Sequence, residues 1–494
     1  MIKAGYSLPA LILFSEPLFD SGGTAGPDPD SWVKAVDGKG KNCVVSEKYP
    51  QQRLPVNTSK KLYIETFGCQ MNVNDSETMV TLLKDLDYET TDSAAKADLI
   101  LLNTCCIRAK AEQKVYSELG RLKSLKNGGR KVLLGVGGCI AQQEGEKLLK
   151  RVPYLDLVFG THSLHLLPDM VRAAEKGERL TRNDFLDPES RVDLFPRKDT
   201  AGGVARFVNV IQGCDNFCSY CIVPYVRGRE ISRRSSEILQ EIRELSEAGV
   251  KEVTLLGQNV NSYGMKSPEE PSFAELLHMV AAIDGIERIR FTTSHPKDMS
   301  QALIDCFAQL PKLCSHIHLP AQSGSDKVLK AMNRGYTRRE YLDRIAALKK
   351  ARPDITVTGD MIVGFPGETE EDYNETRSLM EEVGYADLFS FVFSARPETA
   401  AAKLHDDLTR KEKQERLDRL QKRQHIMTRE RNSALQGTLQ EVLVEGVSRR
   451  GDQLFGRTSG NRIVNITADH SLIGKIVTVR IAEAFQNSLL GEVV

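Results

Sequence analysis

Cys214, Cys218 and Cys221 form a CxxxCxxC run within QGCDNFCSYC. Thiolates on one short loop can converge on a single metal centre, and soft sulfur suits an iron–sulfur cluster or zinc. A [4Fe–4S] cluster normally takes four cysteines. A loop that offers three would leave one iron open to a small ligand. A zinc site completed by a distant residue is the competing assignment, and ordinary buried cysteines explain the spacing poorly. A second set is dispersed. Cys69, Cys105 and Cys139 each close an apolar run, in KLYIETFGC, DLILLNTCC and KVLLGVGGC. In a parallel sheet the C-terminal strand ends share one edge, where ligands bind, and adjacent strands lie about 4.8 Å apart. Three thiols at neighbouring strand ends could hold a second cluster, again with one iron open. Three unrelated core cysteines are the alternative, and the matched local context argues against it. Cys106 adjoins Cys105 and could substitute as ligand. Cys43, Cys306 and Cys314 lack such context and read as bystanders.

The elements that must position these thiols show in the apolar periodicity. Residues 1–58 contain FDSGGTAGPDPDSW, have no sustained period and read as a mobile extension without assigned function. From 60 to 170 the three cysteine-ending runs alternate with helical stretches at 76–86 and 109–125, which predicts a small parallel α/β domain. Residues 171–203 are charged, contain Pro188, Pro196 and a Gly-Gly pair, and read as a linker. A second βα series fills 204–408, with strands in RFVNVIQGC, EVTLLGQNV, RIRFTTSHP, HIHLPAQSG, ITVTGDMIVGF and LFSFVFSA. Six units without an obvious seventh predict a partial (β/α)6 barrel, and right-handed crossovers place all six strand C-termini on one face. Residues 409–436 read as a basic connecting helix with nine Lys/Arg against four Asp/Glu, and 437–494 as a small all-β domain with glycine turns.

Bulk properties set limits. A chain of 494 residues implies two to four domains. Lys+Arg and Asp+Glu both number 67, so any nucleic-acid surface must be local. No run approaches the roughly 20 apolar residues of a membrane span, and the apolar stretch 7–19 is broken by proline, serine and glutamate without a clear cleavage site. A cytoplasmic protein with reduced cysteines is therefore expected, without a membrane partner and as a monomer.

A CxxxCxxC run after the first strand of a six-unit barrel, with Tyr220 beside the last cysteine, resembles the radical S-adenosylmethionine (SAM) superfamily. The resemblance implies that the SAM amino and carboxylate groups chelate the open iron. One electron from the reduced cluster then breaks the sulfonium C–S bond, giving methionine and a 5′-deoxyadenosyl radical that the barrel keeps dry and close to its target. By position Gln258 and Asn259 resemble the segment that holds the SAM amino group. Ser294, Gln322 and the stretch 361–368 are further candidates, with rim polarity as the alternative. A three-cysteine domain ahead of such a barrel resembles the methylthiotransferases, and the all-β tail resembles their TRAM domain, a small barrel that contacts substrate. FGCQMNVNDSE, QGCDNFCSYCIVPYVRGRE, SHPKDM and HLPAQSGSDKVLKAMNRGYTR are similar to the branch acting on tRNA. The branch acting on a ribosomal-protein aspartate tends to have proline-lysine-asparagine after the first cysteine, and the threonylcarbamoyl-adenosine branch reads CKVN.

The resemblance implies hydrogen removal from C2 of an isopentenyl-modified adenine beside the anticodon. It further implies insertion of sulfur carried on the auxiliary cluster of Cys69, Cys105 and Cys139, and methylation by a second SAM. Two [4Fe–4S] clusters, two SAM per turnover, an electron donor and a sulfur source follow. His295, His316 and His318 are expected to be structural or rim residues. RNA contacts are sought in local charge, which should make binding salt-dependent. The candidates are the 409–436 helix and the cluster Arg227, Arg229, Arg233 and Arg234, together with Arg457, Asn461, Arg462 and Phe485 for hydrogen bonding and stacking. A solvated helix face is the alternative for the helix. The competing functions are methylthiolation of the ribosomal-protein aspartate and a zinc-dependent RNA-binding protein.

Overall fold

Strands β1 (Lys60–Thr66), β2 (Tyr88–Thr90), β3 (Leu99–Thr104), β4 (Leu133–Gly138), β5 (Leu157–Phe159) and β6 (Leu180–Arg182) form one parallel sheet in the order β2-β1-β3-β4-β5-β6. The inner strands β3 and β4 are buried at every position, as helices on both faces of a parallel sheet require. Side chains alternate between two cores. Ile100, Leu102, Leu134 and Val136 meet Val115 and Leu119 of the helix Ala109–Asn127. Leu99, Leu101 and Leu133 meet Met79 and Leu83 of the helix Gln70–Lys84.

The computed structural model describes residues 59–494 except 107–108, 128–130, 188–189, 197, 200–201 and 449–450. The 1–58 extension and Cys43 lie outside the described residues. Two sequence expectations need correction here. The first helix starts at Gln70 rather than near 76, directly after Cys69. The stretch from 171, read as linker, completes a helix (Leu167–Glu175) and supplies β6. A strand of three residues is too short to leave a periodic signal, which is also why β2 and β5 escaped notice.

The barrel strands are β7 (Ala205–Asn209), β10 (Glu252–Leu256), β11 (Arg288–Phe291), β12 (His316–His318), β13 (Thr356–Val363) and β14 (Asp387–Val392). Between β7 and β10 a short antiparallel pair, β8 (Ile211–Gln212) and β9 (Ile231–Ser232), frames the cysteine loop. The six barrel strands form two parallel three-stranded sheets, β7-β10-β11 and β12-β13-β14, bridged at Ile289 and Leu313. Buried and half-buried residues alternate strictly along β13. Its buried Val357, Met361 and Val363 belong to the core shared with the surrounding helices.

The helix Arg410–Ser433 opens on a capping box between Thr409 and Glu412. It docks on the barrel through charge: Arg416 bonds buried Glu368 at 2.6 Å, Arg419 meets Glu370 at 2.8 Å, and Arg423 meets Glu381 at 3.0 Å. Much of the positive charge read as an RNA feature therefore binds the barrel. The same contacts turn the Glu368 side chain, from the 361–368 stretch, toward this helix.

Strands β15 (Leu439–Val447), β16 (Leu454–Thr458), β17 (Ile463–Ile466), β18 (Ile476–Ala484) and β19 (Leu489–Val493) close into a barrel in the order β15-β16-β17-β19-β18. Closure leaves no free sheet edge. The turn after β16 enters the half-barrel from the N-terminal ends of its strands. Arg288 donates to the carbonyls of Arg457 (2.6 Å) and Glu441 (3.0 Å). Arg290 donates to those of Thr458 (2.7 Å) and Ser459 (2.9 Å). Ser315 N–H donates to Ser459 Oγ at 2.8 Å. Among the described residues, no helix is long and apolar enough to cross a membrane.

Candidate functional site

β1, β3 and β4 are neighbours in the first sheet, so Cys69, Cys105 and Cys139 come to adjacent strand ends. Cys69 is the N-cap of the helix Gln70–Lys84, and Cys139 opens the helix Cys139–Glu144. Gly138 sits at φ 89°, and a Cβ there would lie 2.4 Å from the Thr104 carbonyl oxygen. Only glycine lets β4 close so tightly on β3 at the cysteine level. Cys105, Cys106 and Cys139 are buried. Cys106 faces the Cys139 thiol, and that contact, with Arg227 nearby, pulls Cys139 below its ordinary pKa against the effect of burial. Cys105 lies against Gly68, while Cys106 faces Cys139, so both stay available to the set.

Asn72 ties this edge together. Its Oδ1 accepts from the Cys69 N–H at 3.3 Å, and its Nδ2 donates to Asn103 Oδ1 and the Thr104 carbonyl, both at 3.1 Å. Asn103 answers by donating to the Asn72 carbonyl at 2.7 Å. Asn72 is the asparagine of the CQMN run, so the motif has a physical reason: it clamps the Cys69 turn to the strand that ends at Cys105. Replacing Asn72 by alanine strands buried polar groups at about 1–3 kcal/mol each. The expected outcome is reduced iron at the auxiliary site after reconstitution, read as iron per chain in a C214A/C218A/C221A background. Full iron there would show that the clamp is dispensable.

The second set occupies the loop after β8. Cys218 is buried, and Cys214 and Cys221 are half-buried. Cys221 N–H donates to the Cys218 carbonyl at 2.9 Å, and Cys214 N–H to that of Gly228 at 3.2 Å. Burial pushes the Cys214 thiol up to about 11 and the Cys221 thiol up to about 12. Loading a metal must therefore displace their protons. Arg334 Nη1 points at Cys218 Sγ (3.4 Å) and at the Tyr220 hydroxyl (3.5 Å). His295 Nε2 lies 4.0 Å from the same sulfur. Burial, with Arg334 and Lys297 beside it, lowers His295 to about 2, so the ring is neutral and no proton donor near pH 7.

The two sets meet through one short helix. Val223–Arg227 runs on from Cys221, and its Val226, with the preceding Ile222, packs into the core that holds Cys106 and Cys139. Thr161 Oγ1 donates to the Val226 carbonyl at 2.6 Å, and His162 Nε2 bonds the Arg227 carbonyl at 2.9 Å. The Arg227 side chain pairs with Asp75 at 2.6 Å, and both are almost fully buried.

The residues expected to meet SAM lie at the same strand ends. Ser294 Oγ and Asn259 Oδ1 are buried without a hydrogen-bond partner, while Asn259 Nδ2 donates to Asp298 at 2.7 Å. Orphaned polar atoms beside a three-sulfur loop fit a polar ligand there, and sulfur donors fit an iron–sulfur centre. Gln258 instead braces the loop, its Oε1 accepting from the Gly213 N–H at 2.5 Å. Tyr220 packs its ring with Met332 and Phe365, as a wall residue. Gln322 is buried with φ 72°, and its backbone bridges to Met361.

The RNA expectations divide. Arg227 and Arg233 are buried and paired, with Asp75 and Glu241 respectively, so neither can reach a phosphate. Arg457 pairs with Glu445 at 3.2 Å, and Arg462 donates to the Ala386 carbonyl at 3.3 Å. With Asn461 they belong to the turn docked at the barrel's far end, away from the cysteines. Sequence charge cannot separate a paired interior arginine from a free one. Arg229 keeps 71% of its side chain exposed although it bonds Asp215, and Phe485 is 44% exposed. Asn72, Asn103, Asp75 and Arg334 were not singled out from sequence. The CQMN and MNRGYT runs were the available signals.

Three family models match the chain: the uncharacterized protein family UPF0004 over residues 61–160, the radical SAM superfamily over 208–380 and the TRAM domain over 434–494. The tRNA-2-methylthio-N(6)-dimethylallyladenosine synthase of Geobacter sulfurreducens is 67% identical over 436 residues, covering 88% of this chain and 98% of the relative. That of Geotalea uraniireducens is 65% identical over 433 residues, covering 88% and 98%. Among solved structures, the radical SAM methyltransferase TsrM of Kitasatospora setae, with cobalamin and a [4Fe–4S] cluster bound, superposes with TM-score 0.52. It shares 13% identity over 78% of this chain and 77% of its own, a likeness of fold alone. With relatives this similar over nearly their whole length, the chain belongs to the tRNA-2-methylthio-N(6)-dimethylallyladenosine synthase family, radical SAM methylthiotransferases with a C-terminal TRAM domain.

Proposed function

We propose that this protein methylthiolates C2 of N6-isopentenyl-adenosine next to the anticodon of tRNA. What carries the reading is the pairing of two cysteine sets, one on the barrel loop and one on the first sheet's edge, joined by the helix Val223–Arg227. Cys214, Cys218 and Cys221 hold one [4Fe–4S] cluster. Cys69 and Cys139, with Cys105 or its neighbour Cys106, hold a second. With SAM bound, the first centre supplies the one-electron chemistry that activates a C–H bond, and the second supplies sulfur. The chain's own residues do the rest. Asn259 and Ser294 offer free oxygens to the polar end of SAM. Arg334 steadies Cys218 and excludes water from that side. Asn72 fixes the auxiliary edge. Two SAM molecules per turnover, an external electron donor and an external sulfur source complete the requirements. The relatives do not favour the ribosomal-protein aspartate as substrate.

The test is anaerobic. Protein reconstituted with iron and sulfide is incubated with SAM, a strong reductant and tRNA bearing isopentenyl-adenosine, and the digested nucleosides are read by mass spectrometry. The expected product is the 2-methylthio derivative. Cleaved SAM with an unchanged nucleoside would keep the radical chemistry and reject this substrate.

A further inference from the structure

Arg227 has no role in the reading above, yet its setting is unusual. It is 3% exposed, and its Nη2 donates to Asp75 Oδ2 at 2.6 Å. Its Nη1 is buried without a hydrogen-bond partner. The charged neighbours around the guanidinium are Asp75, Cys139 and Cys69. A buried arginine normally uses every donor, because an orphaned one costs about 1–3 kcal/mol, more when charged. Asp75 lies on the helix that Cys69 caps. The Arg227 backbone is fixed from the other side by His162. The guanidinium is thus held from two sides with one donor arm free, beside two thiols of the auxiliary set. A fixed cation with a spare N–H favours an anion in a dry site.

We propose that Arg227 is the anion-holding residue of the auxiliary centre, binding through Nη1 the hydrosulfide-level sulfur that awaits transfer. This rests on the auxiliary-cluster reading. It assigns Arg227 to positioning and charge balance, with no bond made or broken at the guanidinium. Asp75 anchors the fork, so the free arm points one way. Lysine at 227 would keep the charge but lose the planar fork that serves Asp75 and the anion together.

The experiment uses full-length protein carrying C214A/C218A/C221A, so that reconstituted iron reports the auxiliary centre alone. Sodium hydrosulfide is titrated anaerobically and followed by the visible and EPR spectra of the cluster. Arg227→Gln is compared with Asp75→Asn/Arg227→Gln, which keeps a neutral hydrogen-bonded pair and strands no carboxylate. Both are expected to retain a [4Fe–4S] complement of iron and to bind hydrosulfide at least about tenfold more weakly, with Arg227→Lys in between. Unchanged hydrosulfide affinity with iron retained overturns the proposal. Loss of iron in the double variant also overturns it, by making Arg227 an assembly residue. Absence of iron in the cysteine-variant background with Arg227 intact would instead refute the auxiliary cluster itself.

Discussion

Replacing Cys218 by alanine is expected to abolish SAM cleavage, whereas replacing Cys139 is expected to leave cleavage running and to remove sulfur insertion. Cys218 is the buried member of its loop, with Arg334 at 3.4 Å and His295 at 4.0 Å from its sulfur. No other thiol of the barrel can replace it. Cys306 bonds the Ala274 carbonyl within the hydrophobic core, and Cys314 sits by Ser459 at the opposite strand ends. The loss should exceed the roughly 10–100-fold that altering a hydrogen-bond partner of a metal ligand brings. Cys139 meets the helix that follows the first loop, through the packing of Ile222 and Val226 and through Arg227, and not the loop's own thiols, so SAM cleavage in Cys139→Ala should stay within about tenfold of the parent. Cys105 differs again, because Cys106 stands next to it and already faces Cys139. Cys105→Ala alone should retain some sulfur insertion, and Cys105→Ala/Cys106→Ala none. The measurements are 5′-deoxyadenosine formation and methylthio-nucleoside yield on the same reconstituted samples. If Cys218→Ala and Cys139→Ala lost both readouts alike, the division of labour between the two sets would be wrong.

The chemistry was legible in the sequence because cysteine spacing survives without any knowledge of packing. A three-thiol loop needs only a few residues of context. The dispersed thiols declared themselves through the long apolar runs they end. Parallel topology then turned three separate endings into one edge. What stayed hidden depends on partners far apart in the chain. Arg227 and Asp75 are each ordinary surface residues on paper, yet their pairing across 152 positions buries both. Arg233, Arg416 and Arg457 looked available for phosphate and meet Glu241, Glu368 and Glu445 instead. The equal totals of 67 basic and 67 acidic residues hide such pairs, which is why counting basic residues located the RNA surface poorly. The short strands β2, β5 and β6 were invisible for a different reason: the sheet's register imposes them, and three residues carry no period of their own.

The docking of the C-terminal barrel gives the second large effect, on stability. Arg290→Met is expected to destabilise the protein by about 3–5 kcal/mol, the usual cost of removing one partner of a buried ion pair. Arg290 is 6% exposed in its side chain and Glu252 2%, with Nε to Oε1 at 2.8 Å. Methionine would leave the Glu252 carboxylate uncompensated and orphan the carbonyls of Thr458 and Ser459. A second change, Glu252→Gln, removes the stranded charge and should recover a good part of the loss, though not the two carbonyl contacts. Denaturant midpoints of the parent, Arg290→Met and Glu252→Gln/Arg290→Met give the comparison. Proteolysis of the 458–462 turn should quicken in both variants. The damage lies at the N-terminal ends of the barrel strands and the cysteine loop at the other ends, so reconstituted iron and SAM cleavage should persist in the double variant. tRNA affinity should fall instead, because freeing the turn releases the small barrel and exposed Phe485 from their fixed place beside the half-barrel. A double variant that bound tRNA like the parent would mean that the C-terminal barrel is a stabilising plug alone.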